Sequence, residues 1–189
     1  MSIKLITLPN PNLRIRSKRV GFVDDNLLKL IKDMEDTTLE WEASRDHEVG
    51  VALAAVQIDA HRRVVVIRNN FDNKKDKTFQ VFINPEIVKY DGEIIEDFEG
   101  CLSVKDVYGK VPRYSRVKVK AKNLQNKDVR ITAEGFLARV FQHEIDHTNG
   151  ILFVDRIKDT PDAFYKLNSL GKIDELEDEE RKDIFSILW

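Results

Sequence analysis

Residues 133–148 carry the periodicity of an α-helix, and this segment constrains the fold more than any other part of the sequence. Thr132 is placed to cap the helix, and Asn149-Gly150 supplies its stop. Two apolar stripes run side by side along the helix, and one of them contains both of its histidines. The stripes consist of Phe136, Val140, His143 and His147, and of Leu137, Phe141 and Ile145. A helix with two apolar stripes is buried, so we expect a central helix whose histidines have partners.

Strand-like segments occupy the middle of the chain, and helical segments flank them. Asp24 or Asp25 is expected to cap a helix that reaches about Trp41, and the β-branched residues 62–68 predict a strand. Further strands are predicted at residues 79–83, 87–90, 94–98, 117–121 and 129–132. A short amphipathic helix is predicted for the C-terminal residues, which end in Trp189. With no repeat and no linker, these patterns predict one domain over residues 1–189, of the α+β class.

Composition excludes several classes of protein. The chain has 31 basic and 33 acidic side chains, and this balance argues against broad binding of nucleic acid or of an anionic membrane. No apolar run approaches the roughly 20 residues of a membrane helix, and the N-terminal residues do not read as a signal peptide. The single cysteine cannot form an internal disulfide. We therefore expect a reducing compartment, the cytoplasm.

The segment from Gln142 to His147 contains the pattern H-E-x-x-H. Histidines four residues apart on a helix stand one above the other, close enough to share a metal ion. Glu144 follows the first histidine directly, so its carboxylate can act on a water molecule at such a metal. The alternative is a solvated helix on which these residues meet by chance. The apolar stripes favour the metal site, because they predict that the helix is buried.

A catalytic metal needs a third protein ligand. The metzincin pattern is excluded, because Phe153 stands where its third histidine belongs. His47 and His61 lie in polar surroundings and are expected at the surface. Cys101, in the segment Glu99–Ser103, is the remaining soft ligand. A lone cysteine is more often an inert core residue, but its occurrence together with H-E-x-x-H favours a ligand.

A third segment, Gly50 to Gln57, is rich in small residues and ends in an amide side chain. By itself it indicates only a tightly packed strand or turn. Together, the three segments resemble the signature stretches of the peptide deformylases, in the same order and over most of the chain. The segments Glu99–Ser103 and Gln142–His147 match intact, whereas Ala52 replaces the usual second glycine of the first stretch. The added methyl group of Ala52 is expected to narrow the substrate cleft.

The resemblance implies an α+β fold in which mixed and antiparallel β-sheets surround a metal-binding helix. Cys101, His143 and His147 would bind one divalent metal. The family's native metal is ferrous iron, and nickel, cobalt or zinc can occupy its site, whereas the softness of a Cys-His-His set by itself suits zinc. The implied reaction removes the formyl group from the N-terminal methionine of nascent peptides and releases formate.

The resemblance also implies roles for other residues of these segments. Glu144 would act as general base, and the Gln57 side chain with the backbone N–H of Leu102 would stabilise the oxyanion. An apolar slot would take the methionine side chain, with walls expected from Val51, Leu102, Phe136 and Val140 and with Arg139 expected at its mouth. The substrate backbone would add to residues 51–52 as a short strand. The candidate substrate-binding residues are Gly50, Val51, Ala52, Glu99, Gly100, Phe136 and Val140.

Two other functions stay open on the sequence alone. One is an H-E-x-x-H zinc protease in which Glu175 or Glu177, in the charged tail, is the third ligand. The other is a catalytically inactive module that binds peptide N-termini. Docking on the ribosome also stays open: the resemblance implies a basic C-terminal helix for it in some members of the family, whereas residues 174–180 here are mostly acidic.

Overall fold

The computed structural model describes residues 3–45 and 47–188, so Trp189 of the predicted C-terminal helix lies outside the described residues. The helices are α1 (Asp25–Ala43), α2 (Gly135–Thr148), α3 (Phe153–Arg156) and α4 (Asp178–Leu188). The strands are β1 (Ala52–Ala54), β2 (Val64–Arg68), β3 (Phe79–Cys101), β4 (Val104–Lys122), β5 (Asp128–Glu134), β6 (Phe164–Leu167) and β7 (Ile173–Glu175). Short 3-10 turns cover Pro11–Arg14, Ala55–Ile58 and Pro161–Ala163. The α+β class predicted from the sequence is confirmed.

All seven strands join one antiparallel sheet in the order β1-β2-β3-β4-β6-β7, and β5 also pairs with β4. The long strands β3 and β4 form a hairpin that connects the two ends of this sheet. The hairpin turn lies between Cys101 and Val104, which places the single cysteine beside a chain reversal. Strand β1 lies at one end of the order, so among the described strands it pairs only with β2.

The three separate strands predicted within residues 79–98 are one strand, β3, so that prediction is wrong. Turn-forming residues divide the sequence pattern, but the strand accommodates them as shifts in register with β4. Asn84 and Gly92 have positive φ values of 53° and 75°, and each lies at such a shift. Strand β4 also begins well before the predicted residue 117. Its early start was not predicted, because polar side chains interrupt the alternation of apolar residues in this part of the sequence.

Helix α1 follows its sequence signals closely. The Asp24 carboxylate accepts a hydrogen bond from the N–H of Leu27 at 2.7 Å, which confirms the predicted cap. Leu27, Ile31 and Met34 are buried and pack with residues of β1 and β2 in one core cluster. The helix thus supports the strand that precedes Gln57.

Helix α2 begins two residues later than predicted. Thr132 belongs to β5, and the residue before the helix, Glu134, makes no side-chain cap, so the predicted Thr132 cap is wrong. Gly135 has φ of 57°, a conformation that lets the chain turn from strand to helix. The predicted stop is confirmed, because Asn149 ends the helix and Gly150 follows with φ of 77°.

All of α2 except its first three residues is buried. Every residue from Ala138 to Thr148 is buried, whereas Phe136 in the first turn is 48% exposed. Phe141 packs edge-to-face on Phe82 of β3 with ring centroids 4.9 Å apart. The two histidines of α2 are therefore enclosed by the fold. None of the helices within the described ranges is long and apolar enough to cross a membrane.

Candidate metal centre

Three side chains from two distant segments converge beside α2. His143 Nε2 and His147 Nε2 lie 3.2 Å apart, and Cys101 Sγ lies 3.2 Å from His147 Nε2. The three ligand atoms all lie within 4.8 Å of one another, and no other such group of possible metal ligands occurs in the described ranges. The helix spacing brings the histidines together, and the β3–β4 turn supplies the cysteine.

This group fits a single divalent metal. Nitrogen and sulfur ligands at the distances usual for a tetrahedral site lie about 3.3–3.6 Å from one another, close to the separations seen here. Two imidazole nitrogens and a thiolate are donors that transition metals prefer. Without a shared cation, two buried ring nitrogens and a sulfur at this distance have little to stabilise them.

A carboxylate behind the metal centre fixes the orientation of His143. The Nδ1 atom of His143 lies 2.9 Å from Glu99 Oε2, so an Nδ1–H donates to the carboxylate and leaves Nε2 free to bind a metal. Arg113 donates to both oxygens of Glu99, from Nε at 2.9 Å and from Nη2 at 3.0 Å. Arg139 Nη1 donates to Glu99 Oε1 at 2.8 Å. Glu99 lines the cavity described below, but its carboxylate is occupied by these side chains.

Burial by itself raises the pKa of the Glu99 carboxyl. The hydrogen bonds from His143 and Arg113 outweigh this effect and hold the pKa of Glu99 well below its ordinary value. The Glu99 carboxylate is therefore charged in the folded protein, where it accepts hydrogen bonds from Arg113, Arg139 and His143.

The buried charges continue as a chain of alternating sign. Arg113 also donates to Asp146, and Arg156 donates to both oxygens of Asp146. Sequence reasoning missed this network, although a signal existed. The side chain of Arg113 faces the same buried side of β4 as Val111 and Val117. A cation at such a position needs a buried anion.

Glu144 lies beside the ligand group without joining it. Its side chain is 5% exposed, and Oε2 has no hydrogen-bond partner among the described residues. Burial raises the pKa of Glu144 to about 7, with His143 opposing the rise and Glu99 adding to it. A carboxylate with such a pKa can both accept and release a proton near neutral pH.

The amide of Gln57 points its donor toward the ligand group. Gln57 Oε1 accepts from the N–H of Ala54 at 2.9 Å, so Nε2 is the atom on the opposite side. Nε2 lies 3.6 Å from Cys101 Sγ and 3.1 Å from Ser103 Oγ. The side chain is 1% exposed, so the 3-10 turn after β1 holds it in one orientation.

A cavity of about 320 Å³ opens in front of the ligand group. Sequence-predicted residues line much of it, namely Val51, Ala52, Gln57, Glu99, Gly100, Cys101, Leu102, Phe136, Arg139, Val140, His143 and Glu144. Gly50 does not, because it packs on α1, where an added Cβ would lie 2.7 Å from Thr38 Cγ2. Ala52 is 5% exposed, and Leu102 lies in the turn between Cys101 and Val104.

Sequence reasoning missed other residues that line the cavity, from the end of α1, from the segment that follows it and from β3 and β4. These are Trp41, His47, Glu48, Val49, Phe98 and Tyr108. Tyr108 donates a hydrogen bond from its hydroxyl to Glu48 Oε1 at 2.7 Å, and burial followed by this bond raises the pKa of Tyr108. The hydrogen bond between Tyr108 and Glu48 connects the segment before β1 with β4, although the two residues are 60 positions apart in sequence. No local sequence pattern predicts such a contact.

The remaining candidate ligands lie elsewhere. His47 is exposed, as predicted, and His61 is half-buried with Nε2 3.2 Å from the carbonyl of Asn12. Glu175 lies in β7 opposite Tyr165 of β6, and neither it nor Glu177 joins the ligand group found among residues 3–45 and 47–188. The protease hypothesis, which needs one of these glutamates as a ligand, is therefore wrong.

Comparison with known proteins agrees with this geometry. Residues 3–162 match the family model described as polypeptide deformylase. The chain belongs to that family. A peptide deformylase of Chromobacterium violaceum is 42% identical over 155 residues, which cover 82% of this chain and 86% of the relative.

Solved structures of the family agree as well. The crystal structure of a Legionella pneumophila peptide deformylase matches with a TM-score of 0.74 and 37% identity, over 99% of this chain and 93% of the other. The Met-Ala-Ser-bound structure of a class I type b peptide deformylase from Acinetobacter baumannii matches with a TM-score of 0.73 and 34% identity. That match covers 83% of this chain and 99% of the other.

Membership of the deformylase family establishes the reaction. The protein is a metal-dependent hydrolase that removes the N-formyl group from the N-terminal methionine of newly synthesised polypeptides and releases formate. Cys101, His143 and His147 form its metal-binding group. An inactive peptide-binding module, the other function left open by the sequence, does not account for this complete site.

Proposed function

We propose that the residues around the cavity divide the deformylation reaction among them. The observation that carries this proposal is the arrangement at one end of the cavity, where three metal ligands, one unpartnered carboxylate and one oriented amide meet. Cys101, His143 and His147 hold the metal. When bound, the metal supplies Lewis-acid chemistry, polarising the formyl carbonyl and making a water molecule more acidic.

Glu144 acts as the general base. Its free Oε2 accepts a proton from the attacking water, and the same carboxyl then gives that proton to the departing amine. The C–N bond of the formamide breaks, formate leaves, and the peptide keeps a free amino terminus. The burial that raises the pKa of Glu144 supports both halves of this transfer.

Gln57 and Leu102 stabilise the negative charge that develops on the formyl oxygen. The Gln57 amide is fixed by Ala54, so its Nε2 needs no reorientation during the reaction. The backbone N–H of Leu102, in the turn next to Cys101, is the second donor. Preorganised donors of this kind act on the transition state more than on the bound substrate.

The methionine side chain of the substrate lies among Val51, Leu102, Phe136 and Val140. All four line the cavity, and Phe136 makes an edge-to-face contact with Phe71, with ring centroids 5.0 Å apart. Arg139 does not extend to the mouth, because its guanidinium donates to Glu99 and to backbone carbonyls. The Met-Ala-Ser ligand of the Acinetobacter structure supports a methionine subsite in this cavity.

The substrate backbone pairs with residues 51–52. Strand β1 is an edge of the described sheet, so a short peptide can extend the sheet there. Gly50 and Gly100 contribute by their size. Gly50 lets β1 approach Thr38, and a Cβ on Gly100 would lie 2.7 Å from the ring of Tyr108.

The native metal is Fe²⁺, with Zn²⁺, Ni²⁺ or Co²⁺ able to occupy the same ligands. One thiolate and two imidazoles accept each of these ions, and the resemblance to the family favours iron. An oxidisable thiolate ligand and a substrate made during translation both support the cytoplasm as its location. Residues 1–189 act as a single catalytic domain, and the enzyme meets its substrate at the ribosome, where nascent peptides are made.

An anaerobic formate-release assay tests the proposal. The protein is loaded separately with Fe²⁺, Ni²⁺, Co²⁺ and Zn²⁺, and each form is given formyl-Met-Ala-Ser or the acetylated peptide as a matched control. We expect one metal per chain, formate from the formylated peptide only, and the fastest turnover with Fe²⁺. Turnover that persists after complete chelation would overturn the proposed metal centre.

A further inference from the structure

A second cavity, of about 290 Å³, lies at the C-terminal end of α2, away from the metal centre. Its lining includes Arg16, Ser17, Arg19, Arg63, Glu86 and Asn149. Three of these residues are cationic and one is anionic. The balanced charge of the whole chain therefore hides a local excess of positive charge.

Arg63 is buried in this cavity without a carboxylate partner. It is 6% exposed, and its hydrogen bonds go to the carbonyl of Pro85 at 3.0 Å and to Asn149 Oδ1 at 2.8 Å. Both acceptors are neutral, whereas buried arginines are usually paired with an anion. Burial lowers the pKa of Arg63, and the nearby charge of Arg16 lowers it further, whereas the carboxylate of Glu86 opposes this fall without forming a hydrogen bond to Arg63.

Ser17 supplies an unsatisfied hydroxyl at the same place. The residue is 6% exposed, and its Oγ has no hydrogen-bond partner among the described residues. The backbone N–H of Ser17 donates to the carbonyl of Thr148 at 2.9 Å, which fixes the residue against α2. A buried hydroxyl without a partner is costly, so a ligand or an ordered water is expected there. Asn149 accepts from Arg63 through Oδ1, which leaves its NH₂ group as a donor.

The one carboxylate of the cavity does not neutralise the arginines. Glu86 lies 3.2 Å from Lys120 Nζ and 3.6 Å from Arg19 Nη1, so it is already shared between two cations. Arg16 is exposed and makes no ion pair in the described part of the chain. Two guanidinium groups, a hydroxyl and an amide thus remain for an incoming anion.

We propose that this cavity binds an oxyanion of the phosphate class. The guanidinium groups of Arg16 and Arg63 bind its charge, and Ser17 Oγ and the Asn149 amide donate further hydrogen bonds. Guanidinium groups suit phosphate because their paired N–H groups match two of its oxygens. Two sources of that chemistry fit the cavity, a free phosphate ion and a phosphodiester group of RNA.

Calorimetric titration of the metal-loaded protein with inorganic phosphate tests the site, at constant ionic strength. The variants are Arg16→Gln and Ser17→Ala, which avoid the buried Arg63, and Lys118→Gln is the control that removes one exposed cation from β4. We expect saturable binding of one phosphate, weakened about tenfold by Arg16→Gln and unchanged by Lys118→Gln. Formate release by each variant verifies that it is folded.

A labelled single-stranded RNA, followed by fluorescence anisotropy in the same buffer, distinguishes the two sources. RNA binding that phosphate displaces and that Ser17→Ala weakens identifies a phosphodiester as the ligand. Phosphate binding without RNA binding identifies the free ion. Absence of saturable binding by either probe, or equal losses in Arg16→Gln and Lys118→Gln, would overturn the proposal.

Discussion

The two sides of the histidine pair on α2 differ in almost every physical respect. Behind the histidines, Arg139, Glu99, Arg113 and Asp146 form a buried chain of alternating charges, with every carboxylate hydrogen-bonded. In front of them lies a cavity with mainly apolar walls, in which Glu144 keeps a free oxygen. The rear side fixes geometry, whereas the front side leaves polar atoms available for chemistry.

This difference explains why one helix can carry both a rigid ligand and a reactive base. Each charged side chain behind the histidines has a partner of opposite charge. Removing one of them leaves the other buried and unpaired, which typically lowers the free energy of unfolding by about 3–5 kcal/mol. Each group in front has few partners, and low polarity there strengthens its action on a reacting atom. Substitutions behind the histidines should therefore affect metal binding and stability, and substitutions in front should affect turnover.

Loss of Cys101, one of the three metal ligands, should have the largest effect. Cys101→Ser replaces a thiolate by a poor ligand of similar size, so we expect loss of metal and of detectable formate release. Metal content and thiol titration provide the measurement, with no free thiol in the loaded wild-type protein and one after chelation. A Cys101→Ser variant with full metal occupancy and normal activity would show that the thiol is only a core residue.

On the front side, Gln57→Ala should lower kcat by about 10²–10³ and change KM much less. The amide donates to a charge that exists in the transition state, so its loss barely affects the bound substrate. Steady-state kinetics separate the two constants, with Gln125→Ala as an exposed control. An increase in KM at unchanged kcat would instead assign Gln57 to substrate positioning.

On the rear side, Glu99→Gln should weaken metal binding by about 10–100-fold and lower the melting temperature. The neutral amide no longer compensates Arg113 and Arg139, and it orients His143 less firmly. Competition with a chelator measures the affinity, and Glu96→Gln on the exposed part of β3 is the control. Unchanged metal affinity together with a raised KM would place Glu99 on the substrate side.

The smallest effect is expected at the mouth of the cavity. Phe136 is 48% exposed, so Phe136→Ala removes only part of the wall of the methionine subsite. We expect KM for the formyl-methionyl peptide to rise several-fold, because a partly buried apolar contact contributes about 1 kcal/mol. Phe22→Ala, at a residue that is 69% exposed, is the control. A drop in metal content would contradict the assignment of Phe136 to the front side.

Local periodicity predicted the parts of this molecule that depend on neighbours in sequence. Helix α1 with its Asp24 cap, the end of α2 and the histidine spacing were all predicted, because a helix brings residues four apart together. The metal ligand Cys101 was found through the joint occurrence of two motifs. The start of α2 was not predicted, because pairing of β5 with β4 extends the strand through Thr132.

The parts that sequence reasoning missed depend on contacts between distant residues. Arg113 meets both Glu99 and Asp146, and Glu48 meets Tyr108. The first pair forms only when β3 and β4 fold together, and the turn residues within β3 concealed that pairing. The other two pairs need α2 and the segment before β1 to pack against β4. The inward position of Arg113 was missed with them, because the predicted strand began only at residue 117, although Arg113 shares the buried face of β4 with Val111 and Val117.

The division of labour around α2 is tested most directly by Glu144→Gln. Metal content and formate release are measured on the same anaerobic preparation of the variant and of the wild-type protein. Because Glu144 lies beside the ligands without joining them, we expect one metal per chain and a decrease in kcat of about 10²–10⁴-fold. A Glu144→Gln protein that has lost its metal, or that retains its turnover, would contradict the separation of ligand and base.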